Sequence, residues 1–522
     1  MKRQFRFLRF IAIAAVITFT LIVCNNCSGD VPDTGPGAEG VSKVDFTGPT
    51  ELVTLTGLRR NDIYLVKVNT SGYTVRAANT GGSSASSPRI VSGNVLPVPK
   101  GAFLPRMGHP GADEFNANPP PIVREAPKLS RAVFVPPVVG NTRMFWVERY
   151  LNSGTWVQKQ ATLRAAGKYE NIWVMDDNFG SEGGNKITAA RAQALADKFD
   201  LIYPIETNLL GFEYGGGPGG DGGKDGDPKI QILIYDIVDQ NGKNQTTGYF
   251  HGKDFYEQYQ LVETLKTNLA EIFYLDASCV NRFPDFMYTI LIHEFQHMIS
   301  FNANYVKHEK VSESWYDEML SMMAEDIISP LIGIGPTNWY HVIRQEIPTF
   351  LDNYYTVGIT EWKLFDGRSY AKGYAFGAYL LRNYGGASLL KEMLANDSTG
   401  IDSVTAALKR VAGNELSFEE ALRRFGEAMI FSGNIPPDVM SFDKTVTKTI
   451  GRYAYTATKF NVWTDFGYTK PRIFGLTEQV EMRPYSLTVH QDAVAWKNQT
   501  GNVDITLKRP NDSKVEFYLM VK

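Results

Sequence analysis

The sequence predicts a multidomain α+β protein: a strand-rich lobe, then a helical lobe, with β-sandwich-like modules at both ends. Three observations predict it. At 522 residues the chain is too long for one ordinary core. Short β-branched and aromatic runs punctuated by glycine and proline fill its first part and return at its end. Apolar residues at helical spacing dominate much of the stretch between. A hydrophobic share of 43% and a charged share of 21% suit a globular chain, and a net charge of −3 argues against a nucleic-acid partner.

Taken in order, residues 1–24 read as a targeting segment. Lys2, Arg3, Arg6 and Arg9 precede an apolar run, Phe10 to Val23, too short for a comfortable membrane span. Leu21-Ile22-Val23-Cys24 resembles a bacterial lipoprotein lipobox, with Val23 where a small residue is usual. The resemblance implies lipidation of Cys24 and a protein body held outside the cytoplasm on a membrane. Simple secretion or an uncleaved anchor would put the body on the same side. The three cysteines, Cys24, Cys27 and Cys279, imply no disulfide framework.

Residues 25–43, rich in Gly, Pro, Ser and Asp, read as a flexible tether. Residues 44–122 read as a small N-terminal β-module, with strands at Leu52–Leu55 and Ile63–Val68 and an extended proline-rich connector over 97–121. Residues 123–445 read as the main domain. Strands are expected at Thr142–Val147, Ala161–Ala166, Tyr169–Val174, Lys229–Asp236 and Glu271–Asp276, and a helix over Ile187–Phe199. In the glycine-rich segment 215–227, Asp221, Asp225 and Asp227 are possible Ca²⁺ ligands, although their spacing is not that of an EF-hand and a plain surface loop fits as well. Residues 446–522 read as a C-terminal β-module.

The chemistry is concentrated between Phe286 and Glu325. His293-Glu294-Phe295-Gln296-His297 is an H-E-x-x-H within a helical apolar pattern that Pro284 suits as a start. Two histidines four apart lie on one helix face and can reach one Zn²⁺. Glu294, between them, is placed to act as general base on a water. The plain alternative is an amphipathic helix with two satisfied core histidines. Catalytic zinc keeps three protein ligands and an open position, so a third ligand and a groove beside it are expected. Downstream, Ser314 reads as an N-cap with Asp317 in the first helical turn, where the dipole favours an anion.

H-E-x-x-H followed by Trp315-x-x-Glu318, with Glu318 21 residues after His297, resembles the gluzincin clan. HEFQHMISFN together with WYDEMLSMMAE is most similar to the hyicolysin-like family of zinc metallopeptidases. The resemblance covers about residues 130–440 and implies a mixed-sheet lobe followed by a helical lobe. It implies Glu318 as third zinc ligand. It also implies that a strand close to the zinc helix, for which Glu271–Asp276 is the expected segment, receives substrate by β-augmentation. Met322 stands where thermolysin-like enzymes carry a histidine-supporting Asp. Glu325, two turns past Glu318 on the same face, matches the distal Glu of the aminopeptidase-type pattern and is the expected partner of a ligand histidine. Tyr370-Ala371-Lys372-Gly373 resembles the aminopeptidase segment whose Tyr stabilises the oxyanion, implying Tyr370 in that role with Tyr374 as alternative.

These features imply a zinc metalloendopeptidase acting on protein or peptide substrates outside the cytoplasm. A zinc aminopeptidase is the first alternative, although the G-x-M-E-N segment of such enzymes is not found. A non-catalytic surface lipoprotein using its β-modules for adhesion is the second.

Overall fold

A computed structural model describes residues 39–83, 108–122, 134–243, 246–363, 365–433, 436 and 438–522. The leader, Cys24 and the tether up to residue 38 lie outside the described residues.

The described chain opens with β1 (Gly40–Lys43), β2 (Thr50–Asn61), β3 (Ile63–Asn69) and β4 (Gly82–Ser83), followed by a short helix α1 (Pro110–Asn116). Next come β5 (Thr142–Glu148), β6 (Trp156–Ala166), β7 (Glu170–Met175), helix α2 (Ala189–Leu210), β8 (Ile230–Tyr235), β9 (Gly248–Phe250) and β10 (Ile272–Asp276). Helices α3 (Ala277–Arg282), α4 (Pro284–Ser300), α5 (Ser314–Ile328), α6 (Val342–Asn353), α7 (Gly367–Asn383), α8 (Ala387–Ala395), α9 (Gly400–Val411) and α10 (Phe418–Ile430) follow. The strands β11 (Val446–Ile450), β12 (Tyr453–Ala457), β13 (Ser486–His490), β14 (Gln499–Lys508) and β15 (Val515–Val521) end the chain. The architecture is therefore α+β, with a mixed sheet ahead of a helical region.

The central sheet has the order β5-β6-β7-β8-β10-β9, parallel from β7 through β8 to β10 and antiparallel elsewhere. β7, β8 and β10 are buried along their whole length, as expected of parallel strands covered on both faces. Ile172, Val174, Ile232, Ile234, Phe273 and Leu275 face α2 and α4, while Trp173, Leu233 and Tyr274 fill a second cluster on the opposite face. The strand expected at Glu271–Asp276 is thus interior. The edge beside α4 is β9, a three-residue strand too short to announce itself by alternation.

The two end modules expected from the sequence are one structure. β15 lies between β1 and β3 in a four-stranded sheet β1-β15-β3-β13, and β14 pairs with β2 and β4 in the facing sheet. Each end alone would leave an apolar row uncovered. Leu55, Leu58, Ile63 and Leu65 from the beginning pack with Ile505, Leu507, Phe517 and Leu519 from the end in one buried cluster. The proline-rich connector also departs from expectation, since residues 110–116 are helical, with Pro110 at the first position, where its missing N–H costs nothing.

Helices α5 and α7 approach closely at Gly377, where an added Cβ would sit 2.6 Å from Met323 Cγ and 3.0 Å from Met319 Cγ. This contact sets α7, and with it Tyr370, against α5.

Candidate functional site

Helix α4 carries His293, Glu294 and His297, and α5 carries Asp317, Glu318 and Glu325. α4 begins at Pro284 as expected; α5 begins one residue earlier than expected, with Glu313 as N-cap and Ser314 inside the helix. Both helices turn apolar faces into the main core, which fixes their mutual position. Met287, Ile290, Leu291 and Ile292 of α4 join Met319, Leu320, Met322 and Met323 of α5 there. Met322 is a core residue.

The side chains of His293, His297 and Glu318 converge. Their donor atoms lie within 4.8 Å of one another. His293 Nε2 is 3.0 Å from Glu318 Oε2, and His297 Nε2 is 3.8 Å from Glu318 Oε1. The other ring nitrogens are taken. His293 Nδ1 is 2.9 Å from Glu325 Oε1, and His297 Nδ1 is 2.9 Å from Asp317 Oδ2. Ser300 Oγ donates to the second oxygen of Asp317 at 2.7 Å. A carboxylate at each Nδ1 favours a proton there, so Nε2 is the atom each neutral ring would offer to a cation beside Glu318.

Three carboxylates around two imidazoles in a buried setting call for positive charge. Burial opposes a charged imidazole, yet Glu318 and Glu325 hold His293 well above its ordinary pKa. Against the same burial, Asp317 raises His297 to about 9. Two imidazoles and one carboxylate form the donor set of a His₂Glu zinc site, so the residues fit that ion.

Glu294 faces the same space, buried, its pKa pushed up to about 7 by burial and pulled back by His293 and His297. The backbone N–H of Phe250, on β9, contributes a hydrogen bond to it. Tyr370 also lines this space, and its hydroxyl accepts from Gly108 N at 3.0 Å. Tyr374 does not reach it: its hydroxyl donates to Asp326 at 3.0 Å, next to the buried Arg382–Asp326 ion pair.

The three aspartates of the glycine-rich segment do not converge. Asp225 pairs with Arg143 at 3.3 Å. Asp227 Oδ2 accepts from Asn171 and Gln231 at 2.8 and 3.1 Å. Asp221 accepts from Gly223 N at 3.2 Å. Calcium gains no support from this arrangement.

Sequence reasoning read Asp317 only as a helix-start carboxylate, although its place beside Glu318 was a signal that it too could reach His297. Two other acids were missed. Glu206 of α2 is fully buried near His293 and Glu325, and burial raises its pKa well above the usual carboxylate range. Asp113 of α1 lines the space in front of His293, His297 and Glu318. Neither lies in a recognisable motif.

Residues 152–442 match the family model described as Peptidase M30. Over 285 residues the chain is 27% identical to the neutral metalloprotease ShpI of Staphylococcus hyicus, an overlap covering 52% of this chain and 58% of that protein. The chain therefore spans less than two thirds of that relative. Among solved structures, it resembles an M1 zinc metallopeptidase from Deinococcus radiodurans at 12% identity and TM-score 0.26, covering 57% of this chain and 54% of the other. A mutant M1 zinc metallopeptidase from the same organism, bound to a Tyr-Ser-Ala substrate, gives 11% identity and TM-score 0.27 over 54% of this chain and 51% of the other. TM-scores this low add nothing on the fold. The family match spans more than half of the chain, including both helices that supply the converging side chains, and the chain belongs to the Peptidase M30 family.

Proposed function

We propose that the protein is an extracytoplasmic zinc metalloendopeptidase acting on protein or peptide substrates. The observation that carries this reading is the convergence of His293, His297 and Glu318 beside Glu294, within a chain segment matching a peptidase family.

His293, His297 and Glu318 would hold zinc, which when bound acidifies a water and polarises the scissile carbonyl. Glu294 takes the proton of the attacking water and returns it to the leaving amine. Its buried setting, with a pKa near 7, suits a group that must both accept and release a proton. Glu325 and Asp317 orient the two imidazoles and hold protons at Nδ1. The Tyr370 hydroxyl donates to the oxyanion as charge develops on it. Strand β9, at the sheet edge beside Glu294, supplies backbone groups for an extended substrate.

The missing G-x-M-E-N segment favours internal cleavage over removal of amino-terminal residues. The charged leader and lipobox-like Leu21–Cys24 support an anchored protein outside the cytoplasm, with a tether that ends before strand β1 (Gly40–Lys43) and 123–445 as the main part of the peptidase domain.

Elemental analysis of purified protein should find zinc, and hydrolysis of amino-terminally blocked peptides should stop on chelation. Glu294→Gln should keep the zinc and lose the hydrolysis. Normal turnover by that variant would overturn the assignment of the base, and a requirement for a free amino terminus would point to the aminopeptidase alternative.

A further inference from the structure

The space in front of His293, His297 and Glu318 is narrowed by the chain itself. His293, Glu294, Glu318 and Tyr370 are all buried, and the cavity left beside them is about 40 Å³, room for a few waters and not for a peptide. The covering element is the segment Gly108–Ala117, which includes α1.

This segment occupies the groups a substrate would use. Phe250 O and Gly252 N, at the end of edge strand β9, are both bonded to the Asn116 amide. Asn116 Nδ2 donates to Phe250 O at 3.1 Å, and Gly252 N donates to Asn116 Oδ1 at 2.8 Å. One side chain thereby imitates the alternating donor and acceptor of an added strand. Gly252 permits the approach, since a Cβ there would lie 2.9 Å from Asn116 Oδ1. Gly108 N donates to the Tyr370 hydroxyl at 3.0 Å, and Thr246 Oγ1 donates to Gly108 O at 3.2 Å.

Asp113 points inward from the same segment. Its Oδ2 is shielded from solvent and has no hydrogen-bond partner, and the charges it feels are those of Glu318, His297, Glu294 and Asp317. An ionised carboxylate left unpaired among other carboxylates is unfavourable, and either a proton or a cation between them relieves it. The segment is anchored from behind. The His109 ring, fully buried, caps α1 by accepting from Ala112 N at 3.3 Å and places Nε2 2.7 Å from Glu148 Oε2.

We propose that residues 108–117 are an intramolecular plug that keeps the chain latent: Asn116 takes the edge-strand positions of a substrate, Gly108 sits against the Tyr370 hydroxyl oxygen where a substrate would approach it, and Asp113 lines the space in front of His293, His297 and Glu318. A peptide binds only once this segment has left. The inference rests on the metallopeptidase reading.

The test uses full-length zinc-loaded protein, with Asp113→Ala and Asn116→Ala made separately so that a folding failure in one leaves the other. Zinc content, affinity for a peptide hydroxamate by calorimetry, and kcat/KM on a blocked peptide are compared with the unsubstituted protein. The plug predicts unchanged zinc, hydroxamate binding at least tenfold tighter, and a similar gain in kcat/KM. Equal hydroxamate affinity and equal rates would overturn it. So would loss of hydrolysis with zinc retained in the Asp113 variant, because that carboxylate would then serve the substrate. Zinc missing from every sample would remove the metallopeptidase reading itself, and the plug with it.

Discussion

Glu325 Oε1 lies 2.9 Å from His293 Nδ1, joining the end of α5 to the His293–His297 face of α4 in a buried contact. Asp317 makes the equivalent contact with His297. Such partners fix the ring and its tautomer, and their loss costs roughly 10–100-fold in metal affinity. Glu325→Gln and Asp317→Asn should each weaken zinc binding by about that factor, measured by competition with a chromogenic chelator. Unchanged affinity would mean the imidazoles are held by packing alone.

Tyr370 and Tyr374 are one helical turn apart and face different neighbours. Tyr370→Phe should lower kcat by roughly 10²–10³, the scale for losing one oxyanion donor, with KM little changed. Tyr374→Phe should leave kcat near that of the unsubstituted protein and act on stability instead. Steady-state kinetics on a blocked peptide separates the two.

Asp326 and Arg382 form an ion pair at 2.7 Å in which both side chains are fully buried, tying α5 to α7. Asp326→Ala strands a buried guanidinium and should destabilise the protein by about 3–5 kcal/mol. A shifted midpoint in denaturant unfolding would show it.

His490 in β13 is buried, which together with the charge of Lys67 lowers its pKa from 6.5 to about 3. The unfolded chain therefore binds a proton below pH 6.5 that the folded chain takes up only near 3. Stability falls as pH drops through that window, at up to about 1.4 kcal/mol per pH unit for one proton. Replacing His490 by Gln should flatten this acid limb, read from unfolding free energies between pH 4 and 7. An unchanged slope would show that the ring is protonated in the folded state.

The convergence of His293, His297 and Glu318 was legible in the sequence because it obeys short periods. H-E-x-x-H puts His293 and His297 on one face of a helix whatever surrounds it, and the seven-residue step from Glu318 to Glu325 keeps both on one side of the next. The α+β class followed from the same periodicities. Longer-range relations were decided by tertiary structure alone. Nothing near Val521 announces that it pairs with Gly40 and Ile63, because strand pairing depends on which apolar rows remain uncovered after the chain has travelled its full length. Nothing in a proline-rich stretch signals that Asn116 closes an edge strand more than a hundred residues later, or that Asp113 lines the space in front of His293, His297 and Glu318. Backbone groups at a sheet edge acquire their partners only once the sheet exists.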